Sequence, residues 1–224
     1  MQFLYHPEAG QPQLELEGDA YRYLFKVRRL RADSPLHLRN LTDNILYTYR
    51  NDNLDRRRAT LRLESEQSLR IAPERMLHLG WCQIDPKTVE KALPTLNEIG
   101  VSKITFFPCE RSQRSFRPDF DRLHRILVNS SQQCGRSELM QLEEAESLEA
   151  FLAEESEAML LDFSPRPLAC DSGEALTLVV GCEGGFTEME RERFAEERIV
   201  GLETPMILRS ESAACAAAAR FLLG

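Results

Sequence analysis

The sequence predicts an α/β protein with a small β-rich domain at its amino-terminal end, and three observations predict it. Residues 1–73 hold short segments of alternating or β-branched and aromatic character, separated by turn residues. Past Pro73, strand-like and helix-like segments alternate, the pattern of a mostly parallel sheet covered on both faces. Near the carboxyl end, an apolar strand runs into three glycines within five residues and then into a helix start.

In the first region, residues 14–17, 36–41, 45–49 and 59–63 read as strands. Asp43-Asn44 and Asn51-Asp52-Asn53 read as turns between them. One helix is predicted over residues 18–30. The set suggests a small β-barrel or sandwich, and Pro73 marks a boundary, giving domains 1–73 and 74–224. In the second region, residues 76–81 read as a strand. Asp85-Pro86 starts a helix, with Asp as N-cap and Pro at the first helical position, and Gly100 ends it. Residues 103–107 read as a strand, 119–134 and 147–155 as helices, and 158–163 and 175–181 as buried strands. Thr187 and Glu190 form a capping box for a helix reaching about Glu197. Residues 199–202 read as a short strand. Residues 210–223 read as a final Ala-rich helix capped by Ser210.

Composition excludes several classes. Hydrophobic content of 42% and charged content of 29% are those of a soluble globular protein. The longest apolar run, 213–223, is too short to span a bilayer and contains Arg220. No basic segment followed by an apolar one opens the chain, so a cytoplasmic address is expected. The six cysteines, Cys82, Cys109, Cys134, Cys170, Cys182 and Cys215, form no C-x-x-C pair, and reduced thiols without a metal are expected. The net charge is −8, but it is unevenly spread: residues 1–73 hold 12 Lys+Arg against 10 Asp+Glu. Positive charge is dense at Arg22, Lys26, Arg28, Arg29 and Arg31 and at Arg56-Arg57-Arg58, a local potential that suits RNA phosphates.

Two segments carry the chemistry. The first is Val179-Val180-Gly181-Cys182-Glu183-Gly184-Gly185-Phe186-Thr187, where glycine lets a ligand approach the backbone. A plain strand–turn–helix connection gives the same pattern, and no G-x-G-x-x-G or P-loop is present. The second is Pro205-Met206-Ile207-Leu208-Arg209-Ser210-Glu211-Ser212-Ala213-Ala214, a strand end leading into a helix start with charge on both sides of Ser210. A solvated Arg209/Glu211 pair is the plain reading of it.

Together, G-C-E-G-G-F-T and, about twenty residues later, I-L-R-S-E-S-A-A resemble the paired signature of the RsmE-type 16S rRNA uridine-N3 methyltransferases. Other segments follow in the family's order: Tyr23–Leu30 resembles its basic helix, Asn97-Glu98-Ile99-Gly100-Val101 its E-L-G-V turn, Cys109-Glu110-Arg111-Ser112 its E-R-S segment, and Ser131–Arg136 its Q-S-G-R segment. This sequence departs from the pattern at Cys182, where the family has proline, at Thr204, where it has glycine, and at Ser212, where it has threonine.

The resemblance implies a SPOUT-type α/β trefoil knot behind a PUA-like β-barrel. It implies S-adenosylmethionine (SAM) as cofactor, 16S rRNA or the assembled small ribosomal subunit as substrate, a homodimer, and no metal. Carried over, the cofactor would be held by Leu161, Asp162, Phe163, Gly181, Cys182, Glu183, Gly184, Gly185, Thr204, Pro205, Met206, Ile207 and Leu208. Arg209 would orient the uracil and Glu211 would accept its proton. Arg22, Lys26, Arg28, Arg29, Arg111 and Arg136 would contact RNA. Two alternatives stay open: a knot methyltransferase acting on another RNA base, and a non-enzymatic RNA-binding or ribosome-assembly protein.

Overall fold

The computed structural model describes residues 2–112, 117–169 and 173–224, so Cys170 lies outside the described residues. The chain divides into two compact units. One comprises Met1–Ala72 with Ser131–Leu139; the other comprises Pro73–Ser130 with Met140–Gly224. Residues 131–139, read above as part of the second domain, join the first unit through backbone bonds. Gln2 N–H donates to Gln132 O at 2.7 Å. Tyr5 N–H donates to Gln132 Oε1 at 2.8 Å, and Ile71 N–H to Ser137 Oγ at 2.9 Å.

The first unit is a curled five-stranded sheet in the order β1-β3-β4-β5-β2, where β1 is Leu4–Tyr5, β2 Gln13–Glu17, β3 Leu36–Arg39, β4 Ile45–Leu54 and β5 Arg58–Ser68. Its core is the apolar half of each alternating strand: Leu14 and Leu16, Leu36 and Leu38, Tyr47 and Tyr49, Ala59 and Leu61. Asn51-Asp52-Asn53 is not a turn. β4 runs on to Leu54, and the register shift between Asn51 and Asn53 absorbs Asp52 as a bulge. The reversal comes after Asp55, whose N–H donates to Arg58 O. The helix expected over 18–30 is a single α turn, α1 (Gly18–Tyr21), followed by a π-helical stretch, Arg22–Val27. Tyr21 and Leu24 point into the core, while Arg22, Lys26, Arg28 and Arg29 are exposed.

The second unit is a six-stranded sheet in the order β11-β9-β10-β6-β7-β8, with every pairing parallel. The strands are β6 (Met76–Cys82), β7 (Lys103–Phe107), β8 (Gln141–Glu144), β9 (Met159–Leu161), β10 (Ala175–Val180) and β11 (Ile199–Val200). Central strands are apolar on both faces: Leu77, Leu79, Trp81, Ile104, Phe106, Leu178 and Val179 are all buried. The helices are α2 (Pro86–Ile99), α3 (Phe120–Cys134, which belongs to this unit as far as Ser130), α4 (Leu148–Glu154), α5 (Glu188–Arg191) and α6 (Ser210–Leu223). Asp85 accepts from Lys87 N–H at the start of α2, and Gly100 closes it at φ +113°. β8 escaped the sequence reading because Gln-Leu-Glu-Glu at a sheet edge carries no apolar pattern.

The helix predicted to reach Glu197 stops at Arg191. The chain turns extended at Ala195, so that Phe194 packs inward. The expectation of six reduced thiols is corrected at one pair. Cys82 and Cys109 form a buried disulfide with a Cα–Cα distance of 5.8 Å, while Cys134, Cys182 and Cys215 are free. Among the described residues, no helix is long and apolar enough to cross a membrane.

Candidate functional site

In an open parallel sheet, the crevice outside the carboxyl ends of the strands is where ligands bind. Here three loops leave the carboxyl ends of neighbouring strands β9, β10 and β11 and enclose a cleft of about 560 Å³. Every cofactor residue named above except Pro205 lines it, together with Ser164, Phe186, Arg209 and Ser210. Two glycines shape these loops, Gly201 by permitting their close approach and Gly185 by its backbone conformation. A Cβ on Gly201 would fall 2.5 Å from the Ser164 carbonyl oxygen. Gly185 takes φ +65°, with open space where a side chain would stand.

Polar bonds from side chains hold these loops. The Trp81 indole N–H donates to Ser210 Oγ at 2.8 Å, and Ser210 Oγ donates to the Gly181 carbonyl. That relay ties the middle of the sheet to the start of α6 and to the first glycine of the loop. Ser210 is therefore not the N-cap of α6. Arg209 occupies the cap position with extended backbone, and the preceding segment is irregular rather than a strand. Asp162 pairs with Arg191 of α5 and accepts from Phe163 N–H at 2.8 Å. Ser164 Oγ donates to Ile199 O at 2.8 Å, and Thr204 Oγ1 accepts from Met206 N–H at 3.2 Å.

The glycine loop is fixed from a fourth side. Thr187 and Glu190 complete the capping box, and the other Glu190 oxygen accepts from Glu110 N–H at 2.8 Å. Arg111 Nη1 donates to Gly184 O at 2.9 Å and to Phe186 O at 3.2 Å. Cys182 is buried in this loop, and burial pushes its thiol pKa up, which disfavours a nucleophilic role.

The remaining predicted residues fall in different places. Arg209 is exposed on the cleft wall. Glu211 sits half-buried in the first turn of α6 and is not part of the lining. Arg22, Lys26, Arg28 and Arg29 form an exposed basic face of the first unit, where the Arg28 guanidinium lies 5.7 Å from the Tyr23 ring centroid. Arg136 is only 4% exposed, with Glu138 at 4.0 Å, which leaves little of it to offer RNA. Sequence reasoning missed Trp81, Ser164 and Arg191, and read Glu190 only as a helix cap. Of these, only Glu190 carried a signal, the capping-box spacing.

A larger cavity of about 790 Å³ opens at the ends of β6, β7 and β8, but five glutamates, Glu110, Glu144, Glu146, Glu149 and Glu190, outnumber Arg117 and Arg193 in its lining. Its carboxylates repel a polyanion. Among the described residues, no cluster of His, Cys, Asp and Glu is disposed to hold a metal ion.

A parallel sheet with a glycine-walled cleft at the carboxyl ends of three adjacent strands defines an α/β protein built to bind a small ligand there. The chain belongs to the RNA methyltransferase family, whose RNA methyltransferase domain profile matches residues 50–222. It is 40% identical over 216 residues to the ribosomal RNA small subunit methyltransferase E of Helicobacter pylori strain J99, covering 95% of this chain and 96% of that protein. The fold is also that of two solved structures. The ribosomal RNA small subunit methyltransferase E of Neisseria gonorrhoeae, bound to S-adenosyl methionine, matches at TM-score 0.81 and 23% identity, over 98% of this chain and 95% of that one. A Legionella pneumophila methyltransferase in complex with SAM matches at TM-score 0.80 and 24% identity, over 97% and 95%.

Proposed function

We propose that the protein is a SAM-dependent methyltransferase acting on N3 of a uridine in small-subunit 16S rRNA. The observation that carries this reading is the 560 Å³ cleft, whose glycine and apolar walls suit the adenosine and methionine parts of SAM. The relatives named as small-subunit rRNA methyltransferases support the substrate. The neighbouring loops after β9, β10 and β11 fit a SPOUT trefoil knot, and the curled, basic first unit fits a PUA-like RNA-binding domain. Phe163, Met206 and Ile207 are 72%, 67% and 83% exposed on the cleft wall, apolar surface that a second copy of the chain would cover. That patch supports a homodimer, and the relatives named as small-subunit rRNA methyltransferases support a cytoplasmic protein that meets the assembled small subunit.

When bound, SAM supplies a methyl group on a positively charged sulfur. The chain's own work is positioning and proton management. Leu161, Ile207 and Leu208 offer apolar contact, and the Gly181–Gly185 backbone forms the close wall. Arg209 reaches the uracil or its phosphate with forked donors that remain charged. N3 loses a proton as it gains the methyl; Arg209 on the cleft wall stabilises the charge that develops, whereas Glu211, the acceptor expected from the sequence, lies outside the cleft lining. Arg22, Lys26, Arg28 and Arg29 hold phosphates, which gives affinity without sequence reading.

The test uses small subunits from a strain lacking the gene and SAM labelled in its methyl group. Label should map to a single uridine N3, and Arg209→Ala should lower turnover by about 10²-fold. No transfer to any RNA, with no SAM uptake by calorimetry, would refute the enzyme reading and leave an RNA-binding protein.

A further inference from the structure

Arg111 is a surface cation that turns one guanidinium nitrogen onto the backbone of the glycine loop. One nitrogen, Nη1, serves both the Gly184 and Phe186 carbonyls, at 2.9 and 3.2 Å. The opposite ends of the same two peptide planes are also held. Gly185 N–H donates to Cys182 O at 3.0 Å, and Thr187 N–H donates to Glu190 Oε2 at 2.9 Å. Both planes flanking Gly185 and Phe186 are therefore fixed at each end. That matters because Gly185 alone has little to restrain its rotation.

The segment carrying Arg111 is itself braced. Ser112 Oγ accepts from Cys109 N–H at 2.8 Å and donates to Cys109 O at 2.9 Å. Cys109 is bonded to Cys82 at the end of β6. Glu190 Oε1 accepts from Glu110 N–H at 2.8 Å. The fit against the loop is close, since a Cβ on Gly184 would sit 3.0 Å from Arg111 Cβ.

We infer that Arg111 is a positioning residue, gripping the Gly184 and Phe186 carbonyls so that the glycine wall of the cleft is set for SAM before it binds, and that it is not an RNA contact. This rests on the methyltransferase reading above. It replaces the RNA role that the resemblance implied for Arg111.

The test compares wild type, Arg111→Ala and Arg111→Lys by three measurements. In Arg111→Ala, the Kd for SAM by calorimetry should rise about 10–100-fold, the loss of donors from a charged group. The KM for small subunits should stay within about twofold, because no phosphate contact is lost. Amide exchange across residues 183–187 of the ligand-free protein should accelerate. Arg111→Lys, which keeps a cation able to reach the carbonyls, should restore most of the SAM affinity. A raised KM for subunits with unchanged SAM affinity would overturn the inference and return Arg111 to the RNA. Unchanged exchange in Arg111→Ala would overturn the grip itself, whether or not SAM binds. Wild-type protein that takes up no SAM would instead refute the methyltransferase reading, and the proposal with it.

Discussion

The middle of the parallel sheet and the loops at its carboxyl ends are held by different physics. β6, β7 and β10 are held by burial: Leu79, Ile104, Leu178 and Val179 are fully buried. The loops after β9, β10 and β11 leave large apolar side chains such as Phe163, Met206 and Ile207 exposed. They are held by side chains bonded to backbone, from Ser210, Asp162, Ser164, Glu190 and Arg111. Burial is non-directional and sets stability, whereas polar bonds fix where each peptide points. The two regions should therefore answer differently to substitution.

The largest effect tests the sheet. Leu79→Ala empties a fully buried site and should cost about 2–5 kcal/mol in urea unfolding. The protein that remains folded should bind SAM as wild type does. A large loss of SAM affinity in folded Leu79→Ala would mean that the two regions are not separable.

Ser210→Ala tests the joint between them. It leaves the Trp81 indole without its acceptor and the Gly181 carbonyl without its donor, at about 1–3 kcal/mol for each orphaned buried group. Unlike Leu79→Ala, it should also weaken SAM binding in the folded protein, measured by calorimetry. Stability loss with unchanged affinity would make the relay a fold contact only.

The same division decides what was legible in the sequence. The central strands were readable because both faces are buried, so each is an apolar run of strand length. The glycine loop and the capping box were readable because backbone geometry demands those residue types locally. The Trp81–Ser210 contact joins residues 129 apart and exists only once the sheet has closed. The resemblance assigned Arg111 to RNA, but its partners are carbonyls more than 70 residues away along the chain, which no spacing announces. Cys82 and Cys109 pair because the β6–β7 register sets Cys82 beside Phe107, two residues before Cys109. That register is a tertiary fact. Asn51-Asp52-Asn53 misled because turn residues also suit a bulge within a strand.

A smaller effect probes the outer wall of the cleft. Asp162→Asn removes the ion pair with Arg191, whose side chain is 41% exposed, so stability should fall by only about 0.5–1 kcal/mol. If the pair serves to hold Asp162 toward a ligand, SAM affinity should fall further than stability does. Equal small changes in both would make it an ordinary surface pair.

The smallest effect comes from a place where the sheet, like its loops, carries a polar network. His78 on β6 bonds through Nδ1 to Glu155 at 3.1 Å and through Nε2 to Thr105 at 2.8 Å, and Glu155 also accepts from Thr177 at 3.0 Å. Burial is the largest influence on its pKa and lowers it below 6.5. Glu155 and Glu143 oppose that shift, and Lys103 adds to it. The folded state thus binds a proton at His78 less readily than the unfolded chain does. Its contribution to stability is present in full above about pH 6.5 and is lost as pH falls through the lowered folded value. Urea midpoints taken from pH 8 to pH 5 should drop more in wild type than in His78→Gln, the other histidines being common to both. Parallel curves would show that Glu155 cancels the burial, and that this polar network, unlike those of the loops, is silent.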